Sequence, residues 1–187
     1  IKMGARVTSN SWGSEGDDPQ DPDNQALKDA ILASEKAGVL FVAAAGNGHQ
    51  GVGYDNDTDS KPGVPASYET DIIVSVAALD QSGQLGSFSN WGRNSVDIGA
   101  PGVKVFSTVP ANDYQDTVIP GMATWDGTSM ATPHVAGAAA LYWSKYPNKT
   151  WKEVKMALLR SSKPTASMNG KSVSGGRLDV DALLNRY

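Results

Sequence analysis

No cysteine occurs in this sequence, which excludes disulfide staples, thiolate metal sites and a cysteine nucleophile together. The compartment stays open, because a chain of 187 residues can bury enough core to be stable outside the cell without staples. No run comes near the roughly 20 consecutive apolar residues that a membrane-spanning helix needs. Clustered positive charge is missing as well. Lys and Arg total 16 against 20 Asp and Glu, a formal charge of -4, and the basic residues are scattered. That leaves no electrostatic footprint for nucleic acid, and none is expected as a partner. Internal repeats, low-complexity tracts and interdomain linkers are absent, which leaves one domain. The start, Ile1-Lys2-Met3-Gly4, is neither a secretory signal nor an initiator methionine and reads as the interior of a longer polypeptide. What the sequence does have is 40% hydrophobic residues and 20 glycines, the composition of a globular domain with many tight turns.

Patterning along the chain alternates between two periods. Residues 6–10 are β-prone and end in polar Asn10-Ser11. A turn-rich acidic stretch follows, with Pro19 and Pro22, and its carboxylates at 15–23 read as a solvated loop. Over 24–37 the spacing of Leu27, Ala30, Ile31 and Ala37 predicts a helix stopped by Gly38. Residues 39–45 form a continuous apolar run, the mark of a strand buried on both faces. Strand, helix and buried strand make a βαβ unit with parallel strands and a right-handed crossover. Residues 71–79 predict a second buried strand, and 96–98 and 103–109 shorter ones around Ala100-Pro101-Gly102. A helix is expected over 132–146 with a small-residue surface at Ala136 to Ala140. Thr150-Trp151-Lys152-Glu153 has the form of a capping box opening a helix to about Ser161, and a last short helix starts near Asp179. The fold class is α/β, a doubly wound, mostly parallel sheet with helices on both faces.

Two segments carry chemistry. Residues 127–137 read Gly-Thr-Ser-Met-Ala-Thr-Pro-His-Val-Ala-Gly. Ser129 is expected at the mouth of a long helix, where unpaired N–H groups and the helix dipole favour negative charge. Gly127 frees the backbone to turn sharply before it, and Pro133 is expected in the first helical turn, where its missing N–H costs little. A hydroxyl so placed can attack a carbonyl while its own N–H faces the developing oxyanion. The second segment is Ala43-Ala44-Ala45-Gly46-Asn47, at the carboxyl end of the buried strand, where ligand sites gather in open α/β sheets.

The eleven-residue segment around Ser129 closely resembles the nucleophile motif of the subtilase family of serine proteases, and the resemblance covers nearly the whole chain. It implies a serine endopeptidase in which Ser129 is the nucleophile, with the Asn47 amide and the Ser129 N–H holding the oxyanion. It also implies that Ser11-Trp12-Gly13 pairs with the substrate main chain as an added strand. With Ala44, Ala45, Gly46 and Thr128, that segment walls the pocket for the side chain before the scissile bond. Core packing is the alternative for Trp12. Gly63, before Val64-Pro65-Ala66, falls at the pocket floor and leaves room for a large apolar or aromatic side chain.

The family's Asp and His motifs are not in this chain. Residues 1–187 therefore correspond to about the last two-thirds of a subtilase catalytic domain, incomplete at the N-terminal side. Of the two histidines, His134 is expected to point away from Ser129 and His49 to be a loop residue, so neither is taken as the base. The chain alone is expected to be inactive. Its partners are expected to be a polypeptide substrate and the upstream segment, attached or as a separate chain, in a secreted or extracytoplasmic enzyme. A non-catalytic subtilase-like binding module, or an inactive fragment, is the competing reading. The resemblance further implies a structural Ca²⁺ held by the Ala66, Tyr68 and Asp71 carbonyls and the Asp97 carboxylate, with no cofactor for the chemistry. The second acidic loop, Tyr54 to Asp59, lacks the glycine and distal glutamate of an EF-hand and reads as a solvated surface loop.

Overall fold

A computed structural model describes residues 1–14, 24–110, 117–119 and 121–187. The acidic stretch 15–23 lies outside the described residues. The first strand, β1 (Val7–Asn10), is followed by helix α1 (Gln25–Lys36) and strand β2 (Leu40–Ala44). β1 and β2 run parallel, Val7 opposite Leu40 and Asn10 opposite Ala43, which is the expected βαβ unit. Ile31 on α1 is fully buried, and Leu27 packs beside it on the same cluster. Lys36 ends the helix, and Gly38 follows with φ 74°.

β3 (Ile73–Leu79) has all seven residues buried. Because successive side chains of a strand point to opposite faces, both faces of the sheet are covered there. β3 lies between β2 and β4 (Ile98–Pro101), parallel to each. The short strands β8 (Lys163–Pro164) and β9 (Gly176–Arg177) extend the sheet, giving the order β1-β2-β3-β4-β9-β8. A two-residue strand leaves too little pattern to be read from sequence, and neither was expected.

β5 (Val105–Thr108) does not join this sheet. It pairs antiparallel with β7 (Met122–Trp125), which also pairs with β6 (Thr117–Ile119). The chain leaves the main sheet after Pro101, through Gly102 and the bend at Val103 and Lys104. Gly102 allows the close approach, since a Cβ there would stand 2.5 Å from the Ala78 Cβ and 2.8 Å from the Gly127 carbonyl oxygen.

Helix α2 (Thr128–Lys145) crosses the sheet against β1 to β4. Its alanines let it lie close, with Ala131, Ala136, Ala138 and Ala139 buried beside Val135, Tyr142 and Trp143. α3 (Trp151–Ser161) opens with the expected capping box, Thr150 and Glu153 each bonding the other's backbone N–H. α4 (Val180–Arg186) is capped by Asp179. Arg6 ties the edge strand to the α2–α3 turn. Its guanidinium donates to the carbonyls of Pro147 (2.6 Å) and Lys149 (2.8 Å) and lies 4.4 Å over the Trp143 ring.

Candidate active site

α2 begins four residues earlier than its sequence pattern indicated. Gly127 is the N-cap, with φ 155° and ψ 153°, a conformation essentially reserved for glycine. Ser129 is therefore the second residue of the helix. Pro133 is the sixth, not in the first turn as expected. The reason it is tolerated is visible in the hydrogen bonds. A residue at 133 would ordinarily donate to the carbonyl four residues back, and proline cannot. The Ser129 carbonyl instead accepts the Ser11 hydroxyl at 2.7 Å. In return, the Ser129 hydroxyl donates to the Ser11 carbonyl at 3.2 Å.

The first turn of α2 leaves one N–H without an acceptor among the described residues. Met130 and Ala131 N–H both donate to the Gly127 carbonyl, and Thr128 N–H donates to Asn47 Oδ1 at 2.9 Å. The Ser129 N–H has no acceptor among the described residues. Asn47 follows the end of β2 through Gly46, whose φ of 112° turns the chain. A backbone N–H can only donate, so the atom facing Thr128 is the side-chain oxygen, and the Thr128 hydroxyl donates to the same atom at 2.9 Å. With Oδ1 so held, the NH₂ end of the planar amide is directed away from Thr128.

Ser11, Trp12, Gly13, Ala44, Ala45, Gly46, Asn47, Gly63, Thr128 and Ser129 all line one cavity of about 210 Å³. Every substrate-pocket residue picked out in the sequence is thus in one place. Ser14 and Val64 bridge the two walls as an antiparallel pair, both N–H···O distances being 3.0 Å. Trp12 is 49% exposed at the rim, its ring edge-on to Phe41, so it is not a core residue. A second cavity, of about 420 Å³, is also lined by Ser129, together with Phe106, Trp125, Met130 and His134 among others. Nothing in the sequence reading assigned a role there, because strands β5 and β7 meet only through tertiary pairing.

Neither histidine holds the Ser129 proton. His134 lines that second cavity. Its Nδ1 donates to the Met130 carbonyl of its own helix at 2.9 Å. His49 stacks on Tyr54, with ring centroids 5.4 Å apart.

The loop from Tyr54 to Asp59 leaves Asp57 and Thr58 exposed, as expected of a surface loop, but it also carries a brace. Asn56 is buried, donating to the Ala45 carbonyl at 2.9 Å and accepting from buried Asn90 at 3.1 Å. Asn90 N–H in turn donates to the Gly46 carbonyl at 3.0 Å. This amide pair holds the strand end that presents Asn47. Asp57 accepts from the N–H groups of Asn94 and Ser95. Burial raises its carboxyl, but the hydrogen bonds from Ser95 and Asn94 together bring it below the usual carboxylate range. One sequence carries no signal that separates such bracing amides from ordinary loop asparagines.

The residues expected to surround a cation meet a lysine. Lys155 on α3 places Nζ 3.1 Å from Asp97 Oδ1 and donates to the carbonyls of Asp71 and Ile73. Burial pushes the Asp97 carboxyl up, and Lys155 and the Ser75 N–H only partly offset it. Among the described residues no group of three or more His, Asp or Glu gathers into a metal cluster, and no helix is long and apolar enough to cross a membrane.

A sequence profile of the subtilase family matches residues 1–180. The chain belongs to the subtilase family. Among subtilases, it is 42% identical over 136 residues to the thermostable alkaline protease of Halalkalibacterium halodurans, covering 72% of this chain and 32% of that protein. It is 39% identical over 157 residues to subtilisin DY of Bacillus licheniformis, covering 84% of this chain and 51% of that one. The chain thus spans about a third to a half of these curated relatives. A lanthipeptide protease superposes with a TM-score of 0.81 at 27% identity, covering 99% of this chain and 62% of that one. The prenylagaramide maturation protease PagA superposes with 0.76 at 29% identity, covering 98% of this chain and 62% of that one.

Proposed function

We propose that this chain is the C-terminal part, about two-thirds, of the catalytic domain of a serine endopeptidase, contributing the nucleophile, the oxyanion site and the pocket. The observation that carries the reading is the bonding of Asn47 Oδ1 to Thr128, next to Ser129, on the wall of the cavity that Ser129 also lines. The Ser129 hydroxyl attacks the scissile carbonyl and gives its proton to a base. The C–N bond then breaks, the leaving amine takes that proton, and water hydrolyses the acyl-enzyme. The Ser129 N–H and Asn47 Nδ2 bear the oxyanion. Ser11 to Gly13 pairs with the substrate main chain. The side chain before the scissile bond enters the cavity floored by Gly63, which favours a large apolar or aromatic group. The side after the bond lies toward Phe106 and Trp125.

The base and the residue that orients it come from an upstream segment, attached or separate. β1 stands at the edge of the sheet, and Pro133, His134, Gly137 and Leu141 form an exposed face of α2. An upstream strand and helix would cover both. Without them the hydroxyl is a weak nucleophile and the isolated chain is inactive. A polypeptide substrate and a secreted or extracytoplasmic setting follow from the same reading.

A fluorophosphonate probe tests it. The full-length protein should label at Ser129, and Ser129→Ala should abolish labelling. Failure of the complete, folded protein to react would turn the reading toward a non-catalytic module.

A further inference from the structure

Three of the four groups that the family resemblance assigns to a cation, Asp97 and the carbonyls of Asp71 and Tyr68, are already engaged from within the chain. The Lys155 ammonium has three N–H donors and meets three acceptors, the Asp97 carboxylate at 3.1 Å, the Asp71 carbonyl at 3.2 Å and the Ile73 carbonyl. The other oxygen of Asp97 takes the Ser75 N–H at 2.8 Å, and the Tyr68 carbonyl takes the Thr70 N–H at 2.8 Å. Both charged side chains are largely buried, 18% exposed for Lys155 and 10% for Asp97. Ca²⁺ needs about six to eight oxygens at roughly 2.3–2.6 Å. Here the carboxylate and two carbonyls are engaged by a positive charge that would repel it. The donor set as it stands does not fit calcium.

We propose that Lys155 is a tethered replacement for the metal, a covalently attached cation that pins the start of β3, the entry to β4 and helix α3 together. A diffusible ion stabilises only in proportion to its concentration, whereas a side chain is always present. Stability at this locus should therefore be independent of calcium, and removing the ammonium should expose a cation site made of Asp97 and the freed carbonyls.

The test compares thermal unfolding of full-length wild type and Lys155→Met in EDTA and in millimolar CaCl₂, with Asp97→Asn added to the variant. Lys155→Met should acquire a saturable, calcium-dependent rise in Tm beyond any seen in wild type, and the added Asp97→Asn should abolish it. An identical calcium response in wild type and Lys155→Met would overturn the proposal. Should Lys155→Met fail to fold, a crystal structure of wild type grown with CaCl₂ decides. Lys155 on Asp97 supports the proposal, and an ion on Asp97 with Lys155 displaced overturns it.

Discussion

Ser11 and Ser129 hold each other through two reciprocal hydrogen bonds, each hydroxyl donating to the other's carbonyl. The pair exists because Pro133 cannot supply the helical N–H that the Ser129 carbonyl would otherwise receive. In the full-length enzyme, Ser11→Ala should lower kcat/KM by about tenfold or less, the loss expected of one hydrogen bond worth about 1 kcal/mol. Pro133→Ala offers a competing donor to the Ser129 carbonyl and should lower kcat/KM in the same direction without lowering Tm. Steady-state kinetics on one peptide substrate checks both.

Thr128 grips Asn47 by its side-chain oxygen with two donors, one from the backbone and one from the hydroxyl. Thr128→Val removes only the second. It should reduce kcat by about fivefold with KM little changed, one hydrogen bond being worth about 1 kcal/mol. Asn47→Ala removes the donor itself and should cost about the 10²–10³ in kcat that loss of the corresponding asparagine costs subtilisin. Equal losses in the two variants would mean that the hydroxyl does more than orient the amide.

Gly63 is buried and lines the cavity that Ser129 also lines. Gly63→Val should cut kcat/KM for substrates with phenylalanine before the scissile bond by about 10–100-fold relative to alanine. The ratio of the two specificity constants is the readout, and an unchanged ratio would place the specificity pocket elsewhere.

Gly13 has no room for a side chain. A Cβ there would come within 2.5 Å of the Val64 carbonyl oxygen, which already accepts the Ser14 N–H. Gly13→Ala must push the two walls apart, at a cost of about 1–3 kcal/mol. The urea midpoint should fall accordingly, and KM should rise.

Glu153 is held down to about 2 by the Thr150 backbone N–H and then by the Lys149 ammonium and the Thr150 hydroxyl. A carboxyl lowered on folding binds its proton less readily in the folded state. Its contribution is therefore complete above its ordinary value near 4.5 and fades as pH falls toward about 2. The Tm difference between wild type and Glu153→Gln should be constant above pH 4.5 and shrink steadily below it. A difference that persists at pH 2 would show that packing, not charge, maintains the cap.

Local chemistry was legible in the residues alone. The pairing of Ser129 with Asn47 as a candidate site rests on the family resemblance; the first βαβ unit, the capping box at Thr150 and the glycine before Ser129 follow from short-range pattern. Each depends on neighbours in sequence or on residue types with few conformational options. Four features were decided only by folding: the departure of β5 into a separate antiparallel sheet, the placing of Pro133 four residues after Ser129 within the helix so that Ser11 could take its carbonyl, the use of Asn56 and Asn90 as a buried brace, and the arrival of Lys155 at Asp97. In each, the partners stand far apart along the chain, and their meeting is set by the packing of whole elements, a long-range outcome that no local pattern encodes.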